Sequence, residues 1–363
     1  MSLLSGNKTP VRLWDRAARE VFAESALFLA EEGEISLLFP AEEVRRVCNR
    51  ATGAEYRVGK DFSHAPGSDR IRRLKNSAIP FLDDAALHPT EKEAVFHPAP
   101  GANAVPWGVD GRNIRFDAGN FFAVNQIEVD YIAPDGAFSP GNELFPDRLP
   151  RLKAKLTARR KIRIAWLGDS ISEGYNASGY LKKPPFQMPM AGLFAEGLHE
   201  DFDCEVELDN RGLNGAESSY PLEKETRTDV SGFDLLVIAF GMNDFHREDT
   251  TLYLHNIAEI IDRAQKSNPE IEILLLSSMS GNPAWKHTPP GPARLYADAL
   301  MKFAHAAPAS VACADNFRVW EQMLRKKNFF DLTGNGVNHP NDFGHRILAN
   351  SALTLFTPDR LLF

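Results

Sequence analysis

One serine of this chain stands where a nucleophile could stand. The stretch IRIAWLGDSISEG, residues 162–174, is a largely apolar run that ends in a glycine, an aspartate and Ser170. A serine at this point has two explanations. It caps the following helix, a position that serine favours, or its hydroxyl attacks a substrate after a base has removed the proton.

Two later turns carry groups that could stabilise the negative charge formed in such an attack. The turn RGLNGAES contains Gly212 and Gly215, and GMND, after the apolar run DLLVIAF, contains Asn243. An oxyanion needs donors that already point at it. We expect these donors to be the N–H of Ser170 at a helix start, the N–H of Gly215 and the side-chain amide of Asn243. Gly212 stays an alternative to Gly215, and either glycine could instead serve a turn with positive φ.

An imidazole near the C-terminus could supply the base. The segment TGNGVNHPNDFGH, residues 333–345, contains His339 and His345. Histidine has an unperturbed pKa near 6.5, so a neutral imidazole can remove a hydroxyl proton at neutral pH. Together with a serine and a set of oxyanion donors, the residue types indicate acyl transfer.

The elements that must position these residues change in character near residue 150. From Lys161 onward, apolar runs such as DLLVIAF and EIEILLLSS alternate with helical patterns such as LYLHNIAEIIDRAQ. Continuously apolar strands that alternate with helices predict a parallel sheet covered on both faces. Sites in such sheets form at the carboxyl ends of the strands, so we expect Ser170, Asn243 and His339 at one edge.

The N-terminal part predicts a different architecture. Several short strands separated by turns rich in Gly and Pro are typical of an antiparallel sandwich. The predicted strands are 34–39, 55–58, 113–116 and 121–131. Residues 14–31 predict a helix, and residues 140–161 predict a linker. We therefore predict a β-sandwich accessory domain at 1–155 and, at 156–363, a parallel α/β domain that carries the candidate catalytic residues.

Composition limits the partners. The 363 residues carry a formal net charge of -8, which argues against nucleic acid and anionic membranes because both attract basic surfaces. The three cysteines are odd in number and widely spaced, so the sequence indicates neither a disulfide framework nor a metal motif. The N-terminus does not have the pattern of a secretory signal, and no apolar run is long enough to span a bilayer. We expect a cytoplasmic protein without a metal or other cofactor.

The four blocks together resemble the SGNH (GDSL-type) hydrolases. They are GDS after the first strand, the glycine turn after the second, GMND after the third and HPN near the C-terminus, and the resemblance runs from Lys161 to the end of the chain. It implies a flavodoxin-like three-layer α/β/α fold that hydrolyses esters, thioesters or amides. It implies Ser170 as nucleophile, Gly215 and Asn243 as oxyanion donors and His339 as base. The N-terminal part is similar in layout to family members, including carbohydrate esterases, that carry a jelly-roll-like sandwich before the hydrolase domain.

The resemblance also leaves two histidines to choose between. The family has an acid, two residues and then His-Pro. His339 is followed by Pro340, but Gly336 stands at the acid position, whereas His345 has Asp342 at that spacing and no proline after it. We favour His339 as the base and expect Asp169 and Asp244 to have structural roles.

The group that orients His339 therefore has to come from elsewhere. An acid normally holds the imidazole in the right tautomer and stabilises its positive form. A main-chain carbonyl or Asp331 could take that place, and Asn335 lies four residues before the histidine. The remaining alternative is a hydrolase domain that has lost its activity.

We expect a serine esterase that acts on a small ester, with an O-acetyl group on a carbohydrate as the favoured substrate. Trp285, in the Pro-rich loop NPAWKHTPPGP, could face a sugar, and His246 could line the pocket. Two alternatives come from other classes: a non-catalytic carbohydrate-binding protein with a degraded hydrolase domain, and an acyl-CoA thioesterase. The oligomeric state is left open.

Overall fold

The computed structural model describes residues 9–137, 147–247 and 249–361. The strands and helices of the first part are β1 Trp14–Asp15, β2 Glu20–Ala26, β3 Glu34–Ala41, β4 Glu43–Asn49, β5 Ala54–Tyr56, β6 Phe62–His64, β7 Ser68–Arg73, α1 Asp84–Leu87, β8 Ala104–Val105, β9 Ile114–Arg115, α2 Phe121–Asn125 and β10 Ile127–Ile132. They form two antiparallel sheets, in the orders β1-β2-β10-β4-β5 and β3-β7-β6, and a short β8-β9 pair. The predicted β-sandwich is confirmed.

The second part is an α/β domain. Its elements are α3 Pro150–Thr157, β11 Ile162–Gly168, α4 Ser170–Glu173, α5 Met190–Phe202, β12 Val206–Asn210, α6 Glu225–Thr228, β13 Leu235–Ala239, α7 Thr251–Ser267, β14 Glu272–Leu276, α8 Pro290–Ala306, β15 Val311–Ala314, α9 Asn316–Leu324, α10 Phe329–Leu332 and α11 Asp342–Leu353. The five strands form one parallel sheet in the order β12-β11-β13-β14-β15. Every residue of β14 and β15 is buried, so both faces of these strands are covered. The predicted parallel α/β fold is confirmed.

The helix predicted at 14–31 is wrong. This stretch forms β1 and β2, and six consecutive residues of β2 are buried. Arg19 and Ala23 have φ values of 56° and 48°, which a continuous right-handed helix does not allow. Both faces of β2 are covered, so its sequence EVFAESA lacks the alternation of apolar and polar residues that marks a half-buried strand.

The strand predicted at 121–131 is correct only in its second half. Residues 121–125 form α2, and the strand β10 begins at Ile127. The Asp117 carboxylate accepts a hydrogen bond from the Phe121 N–H at 2.8 Å, which satisfies a donor that the first turn of a helix leaves unpaired. Of the other predicted strands, 34–39 and 55–58 correspond to β3 and β5, whereas 113–116 is reduced to the two residues of β9.

The predicted linker at 140–161 is in part a helix. Its residues 140–146 lie outside the described residues, and α3 occupies Pro150–Thr157. The Glu272 carboxylate accepts hydrogen bonds from the N–H groups of Arg151 and Leu152 at 3.1 and 2.7 Å. This contact anchors α3 to the parallel sheet. The domain boundary at 155/156 stays a prediction, and α3 runs across it.

The two parts share a buried polar interface. The Lys327 ammonium contacts the Glu24 carboxylate at 2.7 Å, and both side chains are fully buried. The Arg346 guanidinium donates to the carbonyls of Phe22 and Ala23, each at 2.8 Å. Because burying a charge without a partner is costly, these contacts fix how β2 sits against the α/β domain.

Two candidate features are absent from the described part of the chain. None of its helices is long and apolar enough to cross a membrane. Within the same described ranges, no three His, Cys, Asp or Glu side chains gather into a group that could hold a metal ion.

Candidate active site

Ser170 lies at the carboxyl end of β11 and opens the short helix α4. A Cβ on Gly168 would lie 2.0 Å from the Ser172 hydroxyl oxygen and 2.8 Å from the Ala239 carbonyl oxygen, so only glycine fits between α4 and β13 at this point. The Asp169 carboxylate accepts from the Ile171 N–H at 2.9 Å and caps the helix. Asp169 therefore has the structural role expected of it, and Ser170 is left free to use its hydroxyl elsewhere.

The hydroxyl of Ser170 meets the imidazole of His339. The Ser170 Oγ lies 2.9 Å from His339 Nε2, and the other ring nitrogen, Nδ1, lies 2.9 Å from Asn176 Oδ1. Ser170 and His339 are 3% and 8% exposed. A hydroxyl, an imidazole and a group that accepts from the far ring nitrogen are the arrangement that activates a serine.

The amide of Asn176 is held in one orientation. Its Nδ2 lies 3.3, 3.1 and 3.2 Å from the carbonyl oxygens of Asp117, Gly119 and Gly334. An amide nitrogen can only donate, so three carbonyls on that side force Oδ1 towards His339. An oxygen acceptor keeps the proton on Nδ1 and leaves Nε2 free to accept the serine proton. Two of the three carbonyls belong to the N-terminal part of the chain.

Sequence reasoning missed Asn176 because it sought an acid close to the histidine. Asn176 lies in the loop after α4, in GYNASGY, and has a φ of 62°. Asparagine is one of the few residues that adopts this left-handed conformation readily. A polar residue six positions after Ser170 was the available signal, but its carbonyl partners at 117 and 119 cannot be located from sequence.

The hypothesis that Asp331 orients the histidine is wrong. Its carboxylate accepts from the N–H groups of Leu27 and Asn328 at 2.7 and 2.8 Å, and it caps α10. Its backbone carbonyl accepts from the Ser25 hydroxyl. Asp331 therefore joins β2 to the α/β domain. The alternative of a main-chain carbonyl is also wrong, because the acceptor is a side-chain amide.

Asn335 acts on the backbone of the histidine loop and not on the ring. Its Oδ1 accepts from the N–H groups of Val337, Asn338 and His339 at 2.9, 2.9 and 3.0 Å. The carbonyl of His339 accepts from the Gly334 N–H at 2.9 Å. These bonds fix the backbone conformation of the loop and therefore the position of the His339 Cα.

His345, the other candidate base, is part of the core. Its Nδ1 accepts from the Met190 N–H at 3.2 Å, and its Nε2 lies 3.2 Å from the Tyr175 carbonyl. Both ring nitrogens are therefore occupied away from Ser170. The structure brings His339, and not His345, to the serine.

Burial sets the charge of the histidine. It lowers the pKa of His339 to about 3, and His345 and His97 add to that shift. A neutral amide at Nδ1 provides no negative charge to oppose it, in contrast to a carboxylate. The imidazole is therefore neutral at neutral pH, which is the form that accepts a proton. Burial also raises the pKa of Asp169, to about 7, and Asp244 adds to it.

The two glycines of the second turn are needed for different reasons. A Cβ on Gly212 would lie 2.5 Å from the Glu173 backbone nitrogen, so this glycine lets the turn pack against α4. Gly215 has open space around the Cβ position and a φ of +75°. The Leu213 N–H donates to the Gly168 carbonyl at 3.1 Å, which brings the turn beside the start of α4. The oxyanion role of Gly215 stays a prediction.

The side chain of Asn243 is fixed next to this turn. Its Nδ2 donates to the Ala216 carbonyl at 2.9 Å, and an amide nitrogen carries a second hydrogen for another acceptor. The Asp244 carboxylate accepts from the Ser218 hydroxyl at 2.6 Å and braces the turn, as expected. Asn243 thus has a donor available at the strand edge that holds Ser170.

Replacing Asn243 with alanine is expected to lower kcat about 10²- to 10³-fold, the usual loss for one oxyanion donor. KM is expected to change less, because the oxyanion forms only in the transition state. Steady-state kinetics with p-nitrophenyl acetate measures both. The control is Asn268→Ala, which removes an amide that donates to the backbone carbonyls of Val230 and Phe233 and not to a group of the candidate active site. A loss below tenfold in N243A would rule out this role.

An open cleft of about 310 Å³ lies against these residues. It is lined by Met242, Asn243, His246, Trp285, His287, Thr288 and Asn338. Of these residues, Asn243 is the candidate oxyanion donor and Asn338 directly precedes His339, so the cleft borders the candidate active site. Trp285 and His246, which the sequence offered as residues that could face a sugar or line the pocket, both line this cleft.

Comparison with known proteins identifies one family. Residues 166–347, half of the chain, match the family model described as the GDSL-like lipase/acylhydrolase family. Comparison with curated proteins gives no match.

Several solved structures are similar to this chain. A two-domain esterase active on acetylated mannans has 16% identity, with 61% of this chain and 54% of that chain covered and a TM-score of 0.45. A G-D-S-L family lipolytic protein from Veillonella parvula has 20% identity, 54% and 98% coverage and a TM-score of 0.42. An acetyl xylan esterase variant from Geobacillus stearothermophilus has 17% identity, 54% and 95% coverage and a TM-score of 0.41. The match spans about half the length of the two-domain esterase.

Proposed function

Because this chain belongs to the GDSL-like lipase/acylhydrolase family, we propose that it is a serine esterase that hydrolyses small esters through an acyl-enzyme on Ser170. The observation that carries the proposal is the hydrogen-bonded series from the Ser170 hydroxyl through His339 to Asn176, with both contacts at 2.9 Å. Each member has the chemistry that its place requires: a nucleophile, a neutral base and a fixed acceptor for the far ring N–H.

The reaction follows from these contacts. His339 Nε2 takes the hydroxyl proton as Ser170 Oγ bonds to the ester carbonyl carbon, and the carbonyl oxygen becomes an oxyanion. The N–H groups of Ser170 and Gly215 and the amide of Asn243 stabilise that charge. The imidazolium then protonates the leaving alcohol oxygen as its bond to carbon breaks. A water molecule attacks the acyl-enzyme in the same way, giving the carboxylic acid and free Ser170.

A small acyl group fits this site, with acetate the favoured one. Ser170 and His339 are almost fully buried, so little room remains beside the reacting oxygen. The adjacent cleft combines indole and imidazole rings with amide and hydroxyl groups. Such a lining suits a polar leaving group, and we propose O-acetyl groups on carbohydrate as the substrate class.

The complete series also bears on the alternatives. A degraded, purely carbohydrate-binding domain was suggested by the absence of an acid near His339, and Asn176 occupies the place of that acid. An acyl-CoA thioesterase would use the same three residues, and it would prefer CoA thioesters to oxygen esters.

Covalent labelling tests the proposal. A fluorophosphonate is expected to phosphonylate wild-type protein once, with loss of fluoride, and to abolish hydrolysis of p-nitrophenyl acetate. Fragmentation of the tryptic peptide 164–182, which also contains Ser172 and Ser178, is expected to place the adduct on Ser170. Labelling of another serine, or persistent turnover after complete labelling, would contradict the proposal.

A further inference from the structure

A segment of the N-terminal part of the chain packs against the loop that carries Trp285 and His287, two of the residues that line the cleft. The Val109 N–H donates to the Ala284 carbonyl at 2.8 Å, and the Lys286 N–H donates to the Trp107 carbonyl at 3.1 Å. The Trp285 indole N–H donates to the Pro106 carbonyl at 3.2 Å. The segment between β8 and β9 is therefore joined by hydrogen bonds to the loop that follows β14, and the two form one continuous surface.

Trp107 stands on this surface with most of its indole uncovered. It is 58% exposed, and its ring centroid lies 4.7 Å from that of His287, which in turn lies 5.1 Å from the Trp285 ring. Its φ is 69°, an uncommon conformation for a bulky residue.

We propose that Trp107, His287 and Trp285 form a subsite for a pyranose ring of the leaving group. This inference rests on the proposed esterase function. A pyranose has faces made of C–H bonds, which pack on the electron-rich face of an aromatic ring, and a rim of hydroxyl groups. Trp107 stands beside the cleft that Trp285 and His287 line, and in that cleft His246, Thr288 and Asn338 offer polar groups to the rim. The cleft, at about 310 Å³, lies at the lower end of the range for small-molecule sites.

An acyl chain fits the same surface less well. An alkyl chain packed along the indoles would cover the imidazoles and amides of the cleft without offering them hydrogen bonds, and burying unpaired polar groups is costly. A sugar satisfies both the aromatic and the polar parts. Because Trp107 belongs to the N-terminal part of the chain, that part would then help to select the substrate.

The test compares two acetate esters. Trp107→Ala is expected to lower kcat/KM for partially acetylated xylotetraose about tenfold more than kcat/KM for ethyl acetate, which has no ring to stack. Most of the change is expected in KM, and Trp107→Phe is expected to retain most of the preference because it keeps an aromatic face. Phe186→Ala is the matched control: Phe186 is also an exposed aromatic, at 61%, with a φ of 61°, but lies on another loop.

The outcomes separate the subsite from the proposed function. An unchanged ratio of the two kcat/KM values in W107A, or an equal fall for both esters, overturns the subsite. Turnover of ethyl acetate with none of the acetylated xylotetraose in wild type also overturns it and leaves the esterase function standing. If wild type hydrolyses neither ester, the proposed function fails. Calorimetric titration of S170A with acetylated xylotetraose then decides the subsite, since binding about tenfold weaker in S170A/W107A supports it and equal or undetectable binding overturns it.

Discussion

Replacing Ser170 with alanine is expected to lower kcat for p-nitrophenyl acetate on the order of 10⁶-fold, and His339→Ala is expected to do nearly the same. The nucleophile and its base act as one unit, so the loss of either removes the acyl-enzyme route. The double variant S170A/H339A is therefore expected to be no slower than S170A. Pre-steady-state kinetics with substrate in excess should show no acyl-enzyme burst in any of the three variants.

Ser172→Ala provides the matched control for this prediction. Ser172 is also buried in α4, but its hydroxyl accepts from the Trp166 indole N–H at 3.0 Å. We expect S172A to lose thermal stability, because the indole N–H loses its partner, and to keep kcat within a few-fold of wild type. Equal losses of activity in S172A and S170A would mean that the serines of α4 matter for folding and not for chemistry.

The α/β domain could be predicted because its strands and helices have distinct local patterns. β13 is apolar throughout, β14 is apolar after Glu272, and the helix α7 repeats apolar residues at helical spacing. Parallel strands with these connections place their carboxyl ends together. This rule brings Ser170 and Asn243 to one edge without knowledge of any contact, but it does not place the histidine loop, which follows the helix α10.

The N-terminal strand β2 could not be predicted in the same way. Its burial depends on partners far along the chain: Arg346 donates to the Phe22 and Ala23 carbonyls, and Ser25 contacts the Asp331 carbonyl. Because another domain covers its second face, β2 lacks the exposed polar face that would produce an alternating sequence pattern. The error at 14–31 therefore reflects tertiary packing that local sequence does not contain.

The residue that orients His339 could not be predicted from sequence for a similar reason. Asn176 can accept from His339 only because carbonyls at 117, 119 and 334 bind its nitrogen. Those residues are separated from it by 59, 57 and 158 positions. The sequence shows that an acid is missing near His339. It does not show that backbone oxygens from distant segments turn the amide of Asn176 towards the imidazole.

Replacing Asn176 with alanine is expected to lower kcat up to about 10⁴-fold, the loss seen in a serine protease when the histidine takes the wrong tautomer. The ring N–H at Nδ1 would lose its acceptor, and the imidazole would be free to turn or to place its proton on Nε2. Asn125→Ala is the control, since Asn125 is also partly buried and donates to a single carbonyl, that of Phe121, at 2.8 Å. A loss below tenfold in N176A would show that the loop alone positions His339.

The pH dependence of kcat/KM tests whether Asn176 positions His339 or only stabilises the fold. Because the pKa of His339 is lowered to about 3, the imidazole stays neutral as pH falls, and wild-type kcat/KM is expected to hold its plateau to about pH 5. An ionised carboxylate in Asn176→Asp would stabilise the imidazolium and move the acidic limb to higher pH. A wild-type limb near pH 6.5 would contradict this account.

Asn176→Asp is nevertheless expected to destabilise the protein, although it restores the acid of a conventional triad. One carboxylate oxygen would face the three carbonyl oxygens that now bind the amide nitrogen. This repulsion and the burial raise the folded-state pKa of the new carboxyl group above its unfolded value. The folded state then binds the proton more tightly, so stability is greatest at low pH and is lost as pH rises through the folded-state pKa. Melting temperatures measured from pH 4 to 8 should fall more steeply for N176D than for wild type, and parallel curves would mean that the carbonyls do not select an amide.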